Sequence, residues 1–124
     1  MRLRVRSVLT GVALAAALAG QGYGEGYSSA GAAVLRGLDK LAGSSVDISL
    51  SQGESATLGP LSVTLAECRY PTANPTAEAY AWLTIRDLSR NETVFDGWMV
   101  ASSPALNAMD HHRYDIWVLR CTTS

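Results

Sequence analysis

The chain is poor in charge, cysteine and aromatic side chains. Charged residues make up 17% of its 124 positions and aromatics 7%, with two cysteines, two histidines and four prolines. Each scarcity excludes something. A formal net charge of −1 leaves no basic footprint for nucleic acid. There is no C-x-x-C, so neither a thiol redox motif nor a paired-cysteine zinc pattern is present. No G-x-S-x-G elbow surrounds a serine, and no H-x-x-x-H spacing presents two imidazoles on one helix face. Internal repeats are absent, which removes solenoids and propellers. What remains is 48% hydrophobic, enough for a globular core, in a length that suits one domain.

The longest apolar run lies at the N-terminus. Arg2, Arg4 and Arg6 precede an apolar stretch over residues 8–19, which closes on Ala17-Leu18-Ala19. That is the order of a secretory signal: basic, apolar, then an A-x-A cleavage site. A membrane span needs about 20 apolar residues, and Gly20, Gln21 and Glu25 end the run too soon. Residues 1–19 are therefore expected to form a helical signal peptide that is cleaved, giving a periplasmic protein without stable membrane insertion. The mature chain keeps seven basic against eleven acidic side chains, a net charge of −4. Export also gives Cys68 and Cys121 a meaning, because an oxidising compartment favours a disulfide between them.

Residues 20–31 are rich in Gly and Ser and are expected to be a flexible leader to a single β-rich domain over residues 32–124. Val34, Leu35, Leu38 and Leu41 suit either a short helix or a strand. After them the period is two. Val46, Ile48 and Leu50 alternate with polar residues, as do Leu61, Val63 and Leu65. Ala79, Ala81, Leu83 and Ile85 share one face opposite Tyr80, Trp82, Thr84 and Arg86, a pattern expected of a central strand covered on both sides. Residues 94–100 and 114–121 complete the set, the former with Gly97 as a bulge or close-approach point. Ser102 or Ser103 before Pro104 signals the start of a short helix near residues 104–110. The expected fold is a small antiparallel β-sandwich or barrel of five to six strands with that one helix.

Both histidines and two of the three tryptophans lie between Phe95 and Arg120. A hydrolytic reading takes Ser102 or Ser103 as nucleophile, His111 or His112 as base and Asp110 or Asp115 as orienter. A metal reading takes Asp110, His111 and His112, but adjacent histidines diverge on regular backbone, so no metal or other cofactor is assigned. The recognition reading takes Trp98, Ser102, Ser103, Asn107, Asp110, His111 and Tyr114 as one surface around the short helix, aromatics being the usual anchors of interfaces. Tyr80 with Trp82 offers a stacking platform for a sugar or base.

The segment Phe95-Asp96-Gly97-Trp98-Met99, then Ser102-Ser103-Pro104-Ala105-Leu106-Asn107-Ala108, Asp110-His111, Tyr114-Asp115 and residues 117–121, resembles a bacterial family, domain of unknown function 2155. Leu38-Asp39-Lys40, Gly53-Glu54, Leu58-Gly59, and Cys68 followed by Pro71 fit the same pattern, so the likeness spans about residues 34–122. His112 departs from it, standing where the family carries a proline. The resemblance implies a small exported domain of Gram-negative bacteria and implies no activity. The function expected from all this is a non-enzymatic binding or structural module of the cell envelope. Its partner is left open, an envelope protein being one candidate. The alternative is a small-ligand or hydrolytic site built on Ser103, His111 and Asp115.

Overall fold

The computed structural model describes residues 26–123. The expected signal peptide, and the leader as far as residue 25, lie outside the described residues. Eight strands follow one another: β1 (Tyr27–Ala30), β2 (Ala32–Asp39), β3 (Ser44–Ser51), β4 (Ser55–Leu58), β5 (Leu61–Pro71), β6 (Tyr80–Asp87), β7 (Glu92–Val100) and β8 (Tyr114–Thr122). A 3-10 turn, Pro104–Leu106, sits between the last two. The larger sheet runs β1-β5-β6-β7, with β4 also paired to β5, and the smaller runs β3-β2-β8. Every pairing is antiparallel. The expected all-β class holds, as an open two-sheet sandwich.

Alternation places the core. Leu61, Val63 and Leu65 of β5 and Leu83 and Ile85 of β6 point inward from the larger sheet, and all are fully buried. Leu35 of β2, Leu50 of β3, and Ile116 and Val118 of β8 meet them from the smaller sheet. The residues left between helix and strand resolve as β2, which is hydrogen-bonded on both edges. Their apparent helical spacing mixes two faces and a turn: Leu35 is buried, Leu38 is half-buried and Leu41 is exposed at the tip of the β2–β3 turn.

Three sequence expectations change. The strands number eight because β1 and β4, each only four residues, hide in Gly/Ser-rich sequence and share one edge of the long β5. The first of them draws the end of the 20–31 stretch into the sheet, and after Gly31 the chain continues as β2 of the other sheet. The helix expected near residues 104–110 is a single 3-10 turn with no buried residue. Ser103 and Pro104 do start it, but Asn107 is already extended (φ −147°) and reaches back to β7. Finally, β6 is central in its sheet, but on its outer face Tyr80, Trp82, Thr84 and Arg86 are only half-buried among the described residues.

Cys68 of β5 and Cys121 of β8 are joined in a disulfide across a sequence separation of 53, with their Cα atoms 5.8 Å apart. The bridge ties the larger sheet to the smaller.

Candidate functional site: an aromatic outer face

Of the residues expected to form one surface, the fold brings Asn107 to Trp98 and buries His111 and Tyr114. Ser102 follows the end of β7, where its N–H donates to Glu78 Oε1 (3.0 Å) and its hydroxyl to Glu78 Oε2. Burial alone would raise the Glu78 carboxyl, but those two bonds and the Ala79 N–H outweigh it and hold the group below its usual value. Ser103 starts the 3-10 turn without a side-chain capping bond. Asn107 donates from Nδ2 to the Trp98 carbonyl (2.8 Å), which pins the 104–110 loop along β7, an end strand of the larger sheet. Gly97 eases that approach, because a Cβ there would stand a tight 3.3 Å from Asn107 Nδ2. Asp110 is exposed. Tyr114 and His111 are each 7% exposed and belong to the packed interior.

His111 has both ring nitrogens committed. Nδ1 accepts the N–H groups of Arg113 (3.1 Å) and Tyr114 (3.2 Å), so Nε2 carries the proton and donates to Asp87 Oδ2 (3.2 Å). Neither contact involves Ser103 or Asp115, so no Ser–His–Asp relay is assembled there. The same occupied lone pair is unavailable to a metal, and His112 stacks on the His111 ring at 4.5 Å. This arrangement organises the turn into β8.

The outer face of the larger sheet is different. Period-two alternation sends Tyr80 and Trp82 of β6 outward, and the register sets Trp82 opposite Trp98 of β7 and Tyr80 opposite Arg69 of β5. Trp82 and Trp98 meet edge to face at 5.4 Å, and Tyr27 of β1 meets Tyr80 in the same way at 5.6 Å. Tyr27, Arg69, Tyr80 and Trp98 line a shallow, open trough of about 450 Å³. Arg69 Nε donates to Glu67 Oε2 (2.8 Å), while Asp96 Oδ1 accepts Trp82 Nε1 (2.9 Å) and the Thr84 hydroxyl (3.0 Å). Cross-strand aromatic pairs stabilise sheets by themselves. Here Tyr27 adds a side chain that is 50% exposed, and the trough adds a shallow concavity with Arg69 in its wall. Sequence alternation pointed to Tyr80 and Trp82. Tyr27, Glu67, Arg69 and Asp96 escaped it, because only the strand register brings them alongside.

Residues 33–121, well over half of the chain, match DUF2155, a family of uncharacterized proteins conserved in bacteria. The chain belongs to this family. It is also 30% identical over 87 residues to an uncharacterized protein of Rickettsia prowazekii (strain Madrid E), a match covering 68% of this chain and 56% of that protein. The chain thus spans little more than half the length of this relative. No solved structure matches it. Within this DUF2155 domain, the segment from Gly97 to Asn107 that carried the resemblance is the brace just described: a glycine that admits the loop and an asparagine that fastens it.

Two carboxylates fasten the neighbouring end of this DUF2155 domain. Asp39 pairs with Arg113 through Nε (3.1 Å) and Nη2 (2.9 Å), and these bonds with those from the Leu41 and Ala42 N–H groups lower its pKa from 3.8 to about 2. The Ser89 hydroxyl does most to lower Asp87 to about 2, opposed by burial and helped by His111 and nearby backbone N–H groups. A carboxyl depressed in the folded state contributes stability that is complete above its unfolded value. That contribution is lost as pH falls from about 4 through about 2. Urea midpoints should accordingly be steady down to about pH 4 and then fall. The Asp39→Asn variant should start lower and show a shallower acid limb. An acid limb identical to that of the parent would show that these ion pairs do not control it.

Proposed function

We propose that this DUF2155 domain is an exported, non-enzymatic binding module of the cell envelope, working through the outer face of its larger sheet. The observation that carries the reading is the trough bounded by Tyr27, Arg69, Tyr80 and Trp98. Stabilising a sheet does not require an aromatic side chain left half in solvent beside an arginine at the mouth of a concavity. Sites of this kind are mostly apolar walls with a few convergent polar groups. Export is supported by the order of basic, apolar and small residues over positions 1–19, and by a disulfide of the sort that persists in an oxidising compartment. A periplasmic location follows from that export. No helix among the described residues is long and apolar enough to cross a membrane.

Fractionation of the native host tests both halves. The protein should be recovered from the periplasm with its N-terminus near Gly20 and with a mass two hydrogens below that of the dithiol form. It should sediment with the envelope, whereas Tyr27→Ser and Trp98→Ala variants of unchanged melting temperature should be released into the soluble fraction. An unprocessed cytoplasmic protein would end the export reading. Envelope retention unaffected in both variants would end the assignment to this face.

A further inference from the structure

We infer that the trough on the larger sheet binds a neutral glycan, with pyranose rings stacked on Tyr27, Tyr80 and Trp98 and hydroxyls met by Arg69, Glu67 and Asp96. This deepens the proposed function and rests on it for the choice of face.

The argument starts from the rings. An edge-to-face pair leaves the far side of one ring unstacked by the other. The face carries two such pairs, Tyr27–Tyr80 and Trp82–Trp98, with interplanar angles of 82° and 85°. Tyr27 is 50% exposed and Trp98 half-buried, so apolar ring surface reaches solvent in the trough they line. A pyranose ring suits such a surface, since its C–H groups form an apolar face and its hydroxyls project around the rim.

The polar groups fit the rim. Arg69 spends Nε on Glu67 and has no partner for its Nη groups among the described residues, so it offers donors. Its side chain is 51% exposed. Asp96 Oδ1 is occupied by Trp82 and Thr84, whereas Oδ2 has no partner among the described residues and remains an acceptor. Glu67 is likewise engaged through Oε2. A hydroxyl both donates and accepts, so a polyol matches this mixture of donors and acceptors without needing either sign of charge.

Charge and shape narrow the occupant. The one arginine lining the trough is already paired with Glu67, on a mature chain of net charge −4. A polyanion would be repelled by that balance. An acyl chain needs enclosure, and the trough is open and carries the Arg69 guanidinium in its wall. A neutral oligosaccharide lying along the face meets neither obstacle.

Titration of the purified, disulfide-bonded protein with chitotetraose, cellotetraose and maltotetraose tests this, read by tryptophan fluorescence and calorimetry. At least one of the three should perturb the emission of Trp82 and Trp98 and release heat with saturation. Tyr27→Ser and Arg69→Met, with unchanged melting temperature, should each weaken that binding about tenfold, the scale of one lost stacking or charge-assisted contact. Silence toward all three sugars up to about 10 mM, well above a Kd of 1 mM, overturns the glycan assignment. A photo-crosslinking residue at position 27, used in living cells, then separates the two readings. A protein adduct there with no sugar binding leaves the face as a docking surface and removes the glycan. No adduct and no sugar binding removes both. Sugar binding that survives unchanged in both variants places the site elsewhere and also overturns the proposal.

Discussion

Replacing Cys68 and Cys121 together by alanine is expected to lower the unfolding free energy by about 4 kcal/mol. The size of the effect comes from the distance along the chain. The two cysteines are 53 positions apart, and cross-linking a loop of that length removes a large share of the conformations open to the unfolded chain. Native contacts change little by comparison, although truncating the fully buried Cys68 adds some lost packing. Domains of this size hold only about 5–15 kcal/mol in total, so the loss is a large fraction. At roughly 4–8 °C per kcal/mol, the melting temperature should fall by about 15–30 °C. The bridge also joins β5 to β8, strands of different sheets, so its removal leaves the sandwich held by side-chain packing and by chain connections such as Gly31. Urea titrations of parent and double variant measure the difference. The denaturant slope should rise in the variant, because an uncross-linked chain exposes more surface when unfolded. A loss below about 1 kcal/mol would mean that residual structure already constrains the reduced unfolded chain, and the entropic account would fail.

The strands that sequence makes legible are those whose alternation is long enough to survive one irregularity. β5, β6, β7 and β8 each run eight residues or more, and the bulges within the β5–β6 and β6–β7 pairings do not hide their period. β1 and β4 are invisible for the opposite reason. Four residues of Ser, Ala and Thr with one large side chain carry almost no pattern, and they are strands only because β5 offers an edge. The short helix failed at its apolar stripe: Ser103-Pro104 is a sound start, but Leu106 is 74% exposed and the turn buries nothing. Partnerships across the fold were hardest to read. His111 lies one residue from Asp110 and four from Asp115, yet its carboxylate is Asp87 on β6, 24 residues back. Proximity in sequence suggested a relay, and proximity in the fold made a structural clamp. The aromatic face shows the same division. Tyr80 and Trp82 were recognisable from alternation, while Arg69 and Trp98 join them through register, which no local pattern specifies.

Gly59→Ala is expected to cost about 2–5 kcal/mol, and the reason lies in two independent terms. The first is backbone. Gly59 closes the β4–β5 turn with φ +56°, a conformation that costs a side-chain-bearing residue roughly 1–2 kcal/mol. The second is space. A Cβ on Gly59 would meet the Tyr114 hydroxyl and stand 2.6 Å from its Cζ and 3.2 Å from its Cε2. Tyr114 is buried at the start of β8, beside the His111 turn, so it cannot retreat without disturbing the join between the sheets, and overpacking of this kind costs about 1–3 kcal/mol. Gly43→Ala separates the two terms. Gly43 also has positive φ (+72°), but nothing lies within 4 Å of its would-be Cβ, so only the backbone cost of about 1–2 kcal/mol applies there. A double-mutant cycle with Tyr114→Phe goes further. Removing the hydroxyl relieves the closest contact, so Gly59→Ala should cost less in the Tyr114→Phe background than in the parent, with a coupling of about 0.5–3 kcal/mol. The measurement is urea unfolding of the four proteins in the cycle beside Gly43→Ala. If Gly59→Ala is no worse than Gly43→Ala, the Tyr114 ring yields freely, and the β4–β5 turn is not the wedge that sets where β8 begins.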